Sequence, residues 1–100
     1  MLKQIKKNIM IKNEQQYLKW IENNGVGYND QVASSTKSYI SYLNSVSKLI
    51  GEDISEQNMF NENCIDVISK KISEMKSEKT ISNYKSALRQ YVRMVQNSEV

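Results

Sequence analysis

Apolar residues recur at three- and four-residue steps in four stretches of the chain, and polar residues fill the positions between them. From Lys79 to Gln96, Ile81, Tyr84, Leu88, Tyr91, Val92 and Val95 fall on one side of a helix, with Thr80 placed to cap its first turn. A stretch from about Glu62 to Met75 repeats the pattern with Ile65, Ile68, Ile72 and Met75, adds Val67 to the apolar side, and is capped by Asn61 or Asn63. Tyr39, Leu43, Val46 and Ile50, flanked by Tyr42 and Leu49, form a third stripe that Ser34, Ser35 or Thr36 opens and Gly51 closes. The fourth stretch runs from Glu14 to about Asn23, with Asn13 as its cap and Tyr17, Leu18, Trp20 and Ile21 on its apolar side. The expected fold class is all-α.

The breaks between these helices are marked by their own chemistry. Asn23-Asn24-Gly25-Val26-Gly27 tolerates the left-handed backbone of a helix end, and without a GxxxxGK[ST] pattern or a preceding strand its glycines are turn residues, not a phosphate loop. Glu52 to Asn58 is an acidic connection in which Asp53 or Ser55 starts a turn, and Met59 and Phe60 after it are expected to plug the core. Lys76 to Lys79 is so brief that the helices on either side should be neighbours. Residues 1–12 carry Lys3, Lys6, Lys7 and Lys12 around Leu2, Ile5 and Ile9 and read as a basic arm or a short helix, set apart from a helical domain over 13–97.

Composition narrows the chemistry. Of the 100 residues 39% are hydrophobic and 25% charged, proline is absent and glycine occurs three times, which suits one ordered helical domain. Cys64 is the single cysteine and histidine is absent, so an internal disulfide is excluded and neither a zinc site nor a histidine-dependent acid–base centre has its usual ligands. Without an activating histidine, Cys64 reads as a small packed hydrophobe. No cofactor or metal is expected. The absence of a long apolar run and of a secretory signal gives a cytoplasmic expectation with no membrane partner.

The polar faces carry the functional signal. On the last helix Lys85, Arg89 and Arg93 stand one turn apart, with Ser82, Ser86 and Gln96 beside them. On the second helix Lys37, Ser41, Asn44 and Lys48 share a strip almost free of negative charge. The net charge of +3 agrees with an anionic partner without demanding one. The two helices also share a pattern: Ser35, Tyr39, Leu43 and Val46 stand at the same steps as Thr80, Tyr84, Leu88 and Tyr91, which cap-and-stripe grammar explains more simply than duplication.

Three segments, YLKWIENNG, SSTKSYISYLNSVSKLIGEDI and KTISNYKSALRQYVRMV, together resemble the core-binding domain of tyrosine recombinases and phage integrases, a SAM-like helical domain that precedes the catalytic domain. The resemblance spans about residues 14 to 96. It implies a compact bundle of four or five helices that holds one side of a DNA duplex through its second and last helices. Carried over, it makes Lys37, Ser41, Asn44, Lys48, Lys85, Arg89 and Arg93 the DNA-binding residues. The lysines and arginines would neutralise phosphates, and Asn44 or Arg89 would reach base edges. The family's catalytic domain, with its arginines, histidines and nucleophilic tyrosine, has no counterpart in these residues, so a non-catalytic role is expected, and Tyr39, Tyr84 and Tyr91 are expected in the core. The family context points to a bacterium or a mobile element.

The alternative is a helical protein-interaction module, an adaptor or inhibitor that does not bind DNA. An exposed apolar patch of Met10, Ile11, Ile40 and Met94 would favour it; a continuous basic surface over the second and last helices would favour double-stranded DNA, with a recombinase catalytic domain as a further protein partner.

Overall fold

A computed structural model describes residues 10–24 and 32–97, with residues 24 and 32–36 described by backbone alone. Four helices follow one another: α1 (Glu14–Asn24), α2 (Val32–Ile50), α3 (Glu62–Ile72) and α4 (Glu78–Asn97). α4 packs against each of the other three, and α2 does likewise, so the pair α2–α4 forms the centre of the bundle. Among the described residues α1 and α3 touch that pair and not each other. The all-α expectation holds.

The core is built from the predicted stripes. Tyr39, Leu43 and Val46 of α2 are buried against Tyr84, Leu88 and Tyr91 of α4, the same three positions of the shared pattern in each helix. Ile65, Ile68 and Ile72 close the bundle from α3, and Tyr17 and Ile21 close it from α1. Tyr17 is fully buried; its ring lies 5.6 Å from that of Tyr91, and its hydroxyl donates to the Ala87 carbonyl at 3.0 Å. A buried phenol satisfied in this way keeps its apolar body in the core at no hydrogen-bonding loss.

Helix ends follow local hydrogen-bond supply, and here several expectations are corrected. α2 begins at Val32, so Ser34, Ser35 and Thr36 lie within its first turns and do not precede it. α4 begins at Glu78 and its cap is Ser77, whose hydroxyl oxygen accepts from the Thr80 amide at 3.2 Å and whose proton goes to Thr80 Oγ1 at 3.1 Å. Thr80 is therefore the third helical residue and not the cap. Asn61 caps α3, its side chain accepting from the amides of Asn63 and Cys64. Asn13 precedes α1 at φ 60°, and its amide group donates to Glu56 across the fold instead of capping. Gly51 ends α2 at φ 72°, and the Glu52 amide returns to the Ser47 carbonyl at 3.2 Å in the six-to-one closure of a left-handed helix end.

Three apolar residues that the sequence assigns to the core side are exposed. α3 stops at Ile72, which leaves Met75 in the following turn 55% exposed; Val67 and Phe60 are exposed to the same extent. Val67 projects opposite the Ile65–Ile68–Ile72 stripe, and Phe60 yields the core position to its neighbour Met59, which is fully buried. Between the helices, Ser55 starts the turn: its amide donates to Asn58 Oδ1 at 2.9 Å and its hydroxyl accepts from the Gln57 amide at 3.1 Å.

Residues 10–12, which the sequence assigns to an arm, are joined to the fold. Ile11 forms a single parallel β-bridge with Ile54, and both side chains are buried. The Lys12 amide donates to the Ile54 carbonyl at 2.8 Å, the Ile54 amide to the Met10 carbonyl at 3.2 Å, and the Tyr91 hydroxyl to the Lys12 carbonyl at 2.6 Å. Residues 1–9, residues 25–31, where the sequence places a glycine-containing turn and Tyr28, and residues 98–100 lie outside the described residues.

Candidate nucleic-acid interface

α2 and α4 meet through their apolar sides, where Tyr42 and Tyr84 hold their ring centroids 5.9 Å apart and Tyr39 stacks behind Tyr42 at 5.8 Å. Each polar strip consequently lies on the side of its helix turned away from that contact. Lys37, Ser41, Asn44 and Lys48 are all exposed along α2, as the spacing predicts. On α4, Arg93 is exposed, whereas Lys85 and Arg89 are half-buried.

The difference arises because Lys85 and Arg89 line a groove between the end of α3 and the first half of α4. Ser73 comes from the turn after α3, and Glu78, Ile81, Ser82 and Ser86 from α4 itself, enclosing about 370 Å³. Long basic side chains at such a seam can lay their apolar stems on the wall and keep their charged ends in water. Ser86 donates its hydroxyl proton to the main-chain carbonyl of Ser82 one turn earlier at 3.3 Å, and both residues line the same wall. Among the described residues no carboxylate lies within ion-pair distance of Lys85, Arg89 or Arg93. An incoming anion would meet these cations without first breaking an internal ion pair.

The structure thus brings Lys85 and Arg89 into one groove with hydroxyl side chains, and none of the four α2 residues lines that groove. Ser73 is a wall residue that basic spacing alone does not reveal. Its signal was the α3 register: Asp66, Ser69, Lys70 and Ser73 recur at three- and four-residue steps and form a polar side distinct from the isoleucine stripe.

The aromatic residues have structural roles. Trp20 is half-buried and donates from Nε1 to Gln90 Oε1 at 2.9 Å, tying α1 to α4. Burial pushes the Tyr17 hydroxyl far above the ordinary phenol range, and burial likewise pushes Tyr91 up to about 12, with a hydrogen bond from Asn13 working in the opposite direction. Both phenols remain neutral donors to main-chain carbonyls at physiological pH. Cys64 is half-buried against the core, in keeping with its packing role. Among the described residues no cluster of three metal-ligating side chains occurs, and no helix is long and apolar enough to cross a membrane.

The apolar patch that would favour a protein partner is not where the sequence suggested. Ile11 and Met94 are buried and Ile40 packs against the core, leaving Met10 alone exposed. A different apolar surface exists: Phe60 and Val67 border a concavity floored by Ile50, Cys64 and Ile68, with Glu52 and Lys71 at its rim. Comparison of the chain with protein families, with curated proteins and with solved structures finds no match.

Proposed function

We propose that this chain is a non-catalytic DNA-binding module, akin to the core-binding domains of tyrosine recombinases, that grips duplex DNA through the outer faces of α4 and α2. The observation that carries the reading is the row of Lys85, Arg89 and Arg93 at one-turn spacing on α4, unpaired among the described residues and bordered by Ser82 and Ser86. Cations beside an exposed hydroxyl, here that of Ser82, suit the phosphates of a nucleic-acid backbone, which accept charge-assisted hydrogen bonds from both. Lys37 and Lys48 on α2 add cations at a second surface, with Ser41 and Asn44 between them as hydrogen-bonding groups.

The test is fluorescence anisotropy with a mixed-sequence duplex of about 25 base pairs at several salt concentrations. With roughly five cationic contacts the plot of log affinity against log salt should have a slope of about −4 to −5. A folded protein that fails to bind at low salt would overturn the reading.

A helical protein-interaction module is the second reading, favoured by Phe60 and Val67, each 55% exposed, at the edges of one concavity. Large apolar side chains grouped at a concavity are more telling than scattered ones. A recombinase catalytic domain is one protein partner consistent with either reading. Loss of partner binding in a Phe60→Ser, Val67→Ser double variant that still binds DNA would assign the two surfaces separate roles.

A further inference from the structure

We infer that the groove between α3 and α4 is the seat of the DNA backbone and that Lys70 of α3 is a third phosphate contact beside Lys85 and Arg89; this rests on the DNA-binding reading above. The groove already described adjoins a second concavity of about 310 Å³, which shares Ser73, Ile81 and Lys85 with it and adds Asp66, Ser69 and Lys70 from α3. The two form one channel along the seam, with Arg89 at one end, Lys70 at the other and Lys85 between them.

Its chemistry is that of a track for a linear polyanion. Four serines accompany the three cations: Ser69, whose hydroxyl is buried, Ser73 and Ser86, whose hydroxyls donate to the main-chain carbonyls of Lys70 and Ser82, and the exposed Ser82, whose hydroxyl can turn to a phosphate. Two carboxylates, Asp66 and Glu78, also line the channel, so three cations against two anions leave a surplus of one positive charge. The cations are spaced along the seam and not gathered at one point, an arrangement suited to successive phosphodiesters of a backbone. A DNA backbone seated there runs along α3 and α4, and the α2 strip, which lines neither part of the channel, meets the duplex at a separate surface.

The experiment is the salt titration with the full chain, its Lys70→Gln and Lys85→Gln variants, and Asp66→Asn, each checked for helicity by circular dichroism. Each lost phosphate contact should reduce the magnitude of the slope by about 0.9, so that the affinity lost between about 50 and about 200 mM salt shrinks by about 3.5-fold. Asp66→Asn should tighten binding, and it decides the matter should Lys70→Gln lose helicity. A parent protein that binds DNA while Lys70→Gln keeps its fold and the full slope overturns the groove and leaves the DNA reading standing. A folded parent that shows no binding overturns both.

Discussion

Truncating Ile11 tests most directly whether residues 10–12 belong to the fold. Ile11 is 5% exposed, and Ile11→Ala removes three carbons from a buried site whose backbone is bridged to Ile54. At about 0.8 kcal/mol per buried carbon the transfer loss is about 2.4 kcal/mol. The cavity adds little, because a three-residue segment at the margin of the bundle can settle inward, so the total should be about 2.5 kcal/mol. For a domain of this size, that loss lowers the melting temperature by about 10–20 °C. The assay is thermal and urea denaturation followed by far-ultraviolet circular dichroism, with exposed Lys12→Ala as a control expected within about 0.5 kcal/mol of the parent. Tyr91→Phe, which removes the donor to the Lys12 carbonyl, should cost about 1 kcal/mol and should couple to Ile11→Ala by at least about 0.5 kcal/mol in a double-mutant cycle. An Ile11→Ala protein melting within about 2 °C of the parent would show that the segment is an appended arm and that the β-bridge contributes nothing.

Other outcomes follow from the same physical reasoning. Ser77→Ala should destabilise the protein by about 1 kcal/mol while Thr80→Ala, which leaves the capping oxygen in place, costs less; equal effects in urea denaturation would contradict the cap assignment. Gly51→Ala should cost about 1 kcal/mol through its positive φ alone, since a Cβ there meets nothing within 4 Å. Tyr91 has its pKa raised to about 12 and Tyr17 higher still, so the unfolded state releases these protons first: their contribution is whole below about pH 10 and declines as pH rises from there towards 12. Urea midpoints measured across that window should fall for the parent and fall less steeply for Tyr17→Phe.

The long apolar stripes were legible because they depend on one periodicity that tertiary structure has no reason to break. Tyr39, Leu43 and Val46, and Tyr84, Leu88 and Tyr91, are buried as their spacing requires. Helix starts were less legible, because Ser77 and Thr80 are both competent caps three residues apart, and the reciprocal bond between them decides which amides are satisfied. Val67 and Met75 were misplaced for two different reasons: one projects from the wrong side of α3 and the other comes after its last turn. Ile11 could not be found locally at all, since an isolated β-bridge leaves no period and its partner Ile54 is 43 residues away. For the candidate interface, the basic positions on α2 and α4 could be read from spacing. The groove that separates Lys85 and Arg89 from the α2 residues depends on how α3 packs.

The central place of α4 has a consequence for the order in which the molecule can be made. Tyr17 finds its acceptor 70 residues further along at Ala87, and Lys12 finds its donor 79 residues further along at Tyr91. A nascent chain that has reached the end of α3 therefore holds three amphipathic helices whose common partner has not yet been synthesised. Pairs such as α1–α2 can form only provisionally, with the apolar face meant for α4 still open to water. Local helix formation is fast, but closure across such separations is slower and requires residues 78–97 to be present. Folding during synthesis should be abrupt: chains stalled before α4 should remain protease-sensitive and bind chaperones, and resistance should arise in a single step once Tyr91 and Val92 can enter the core.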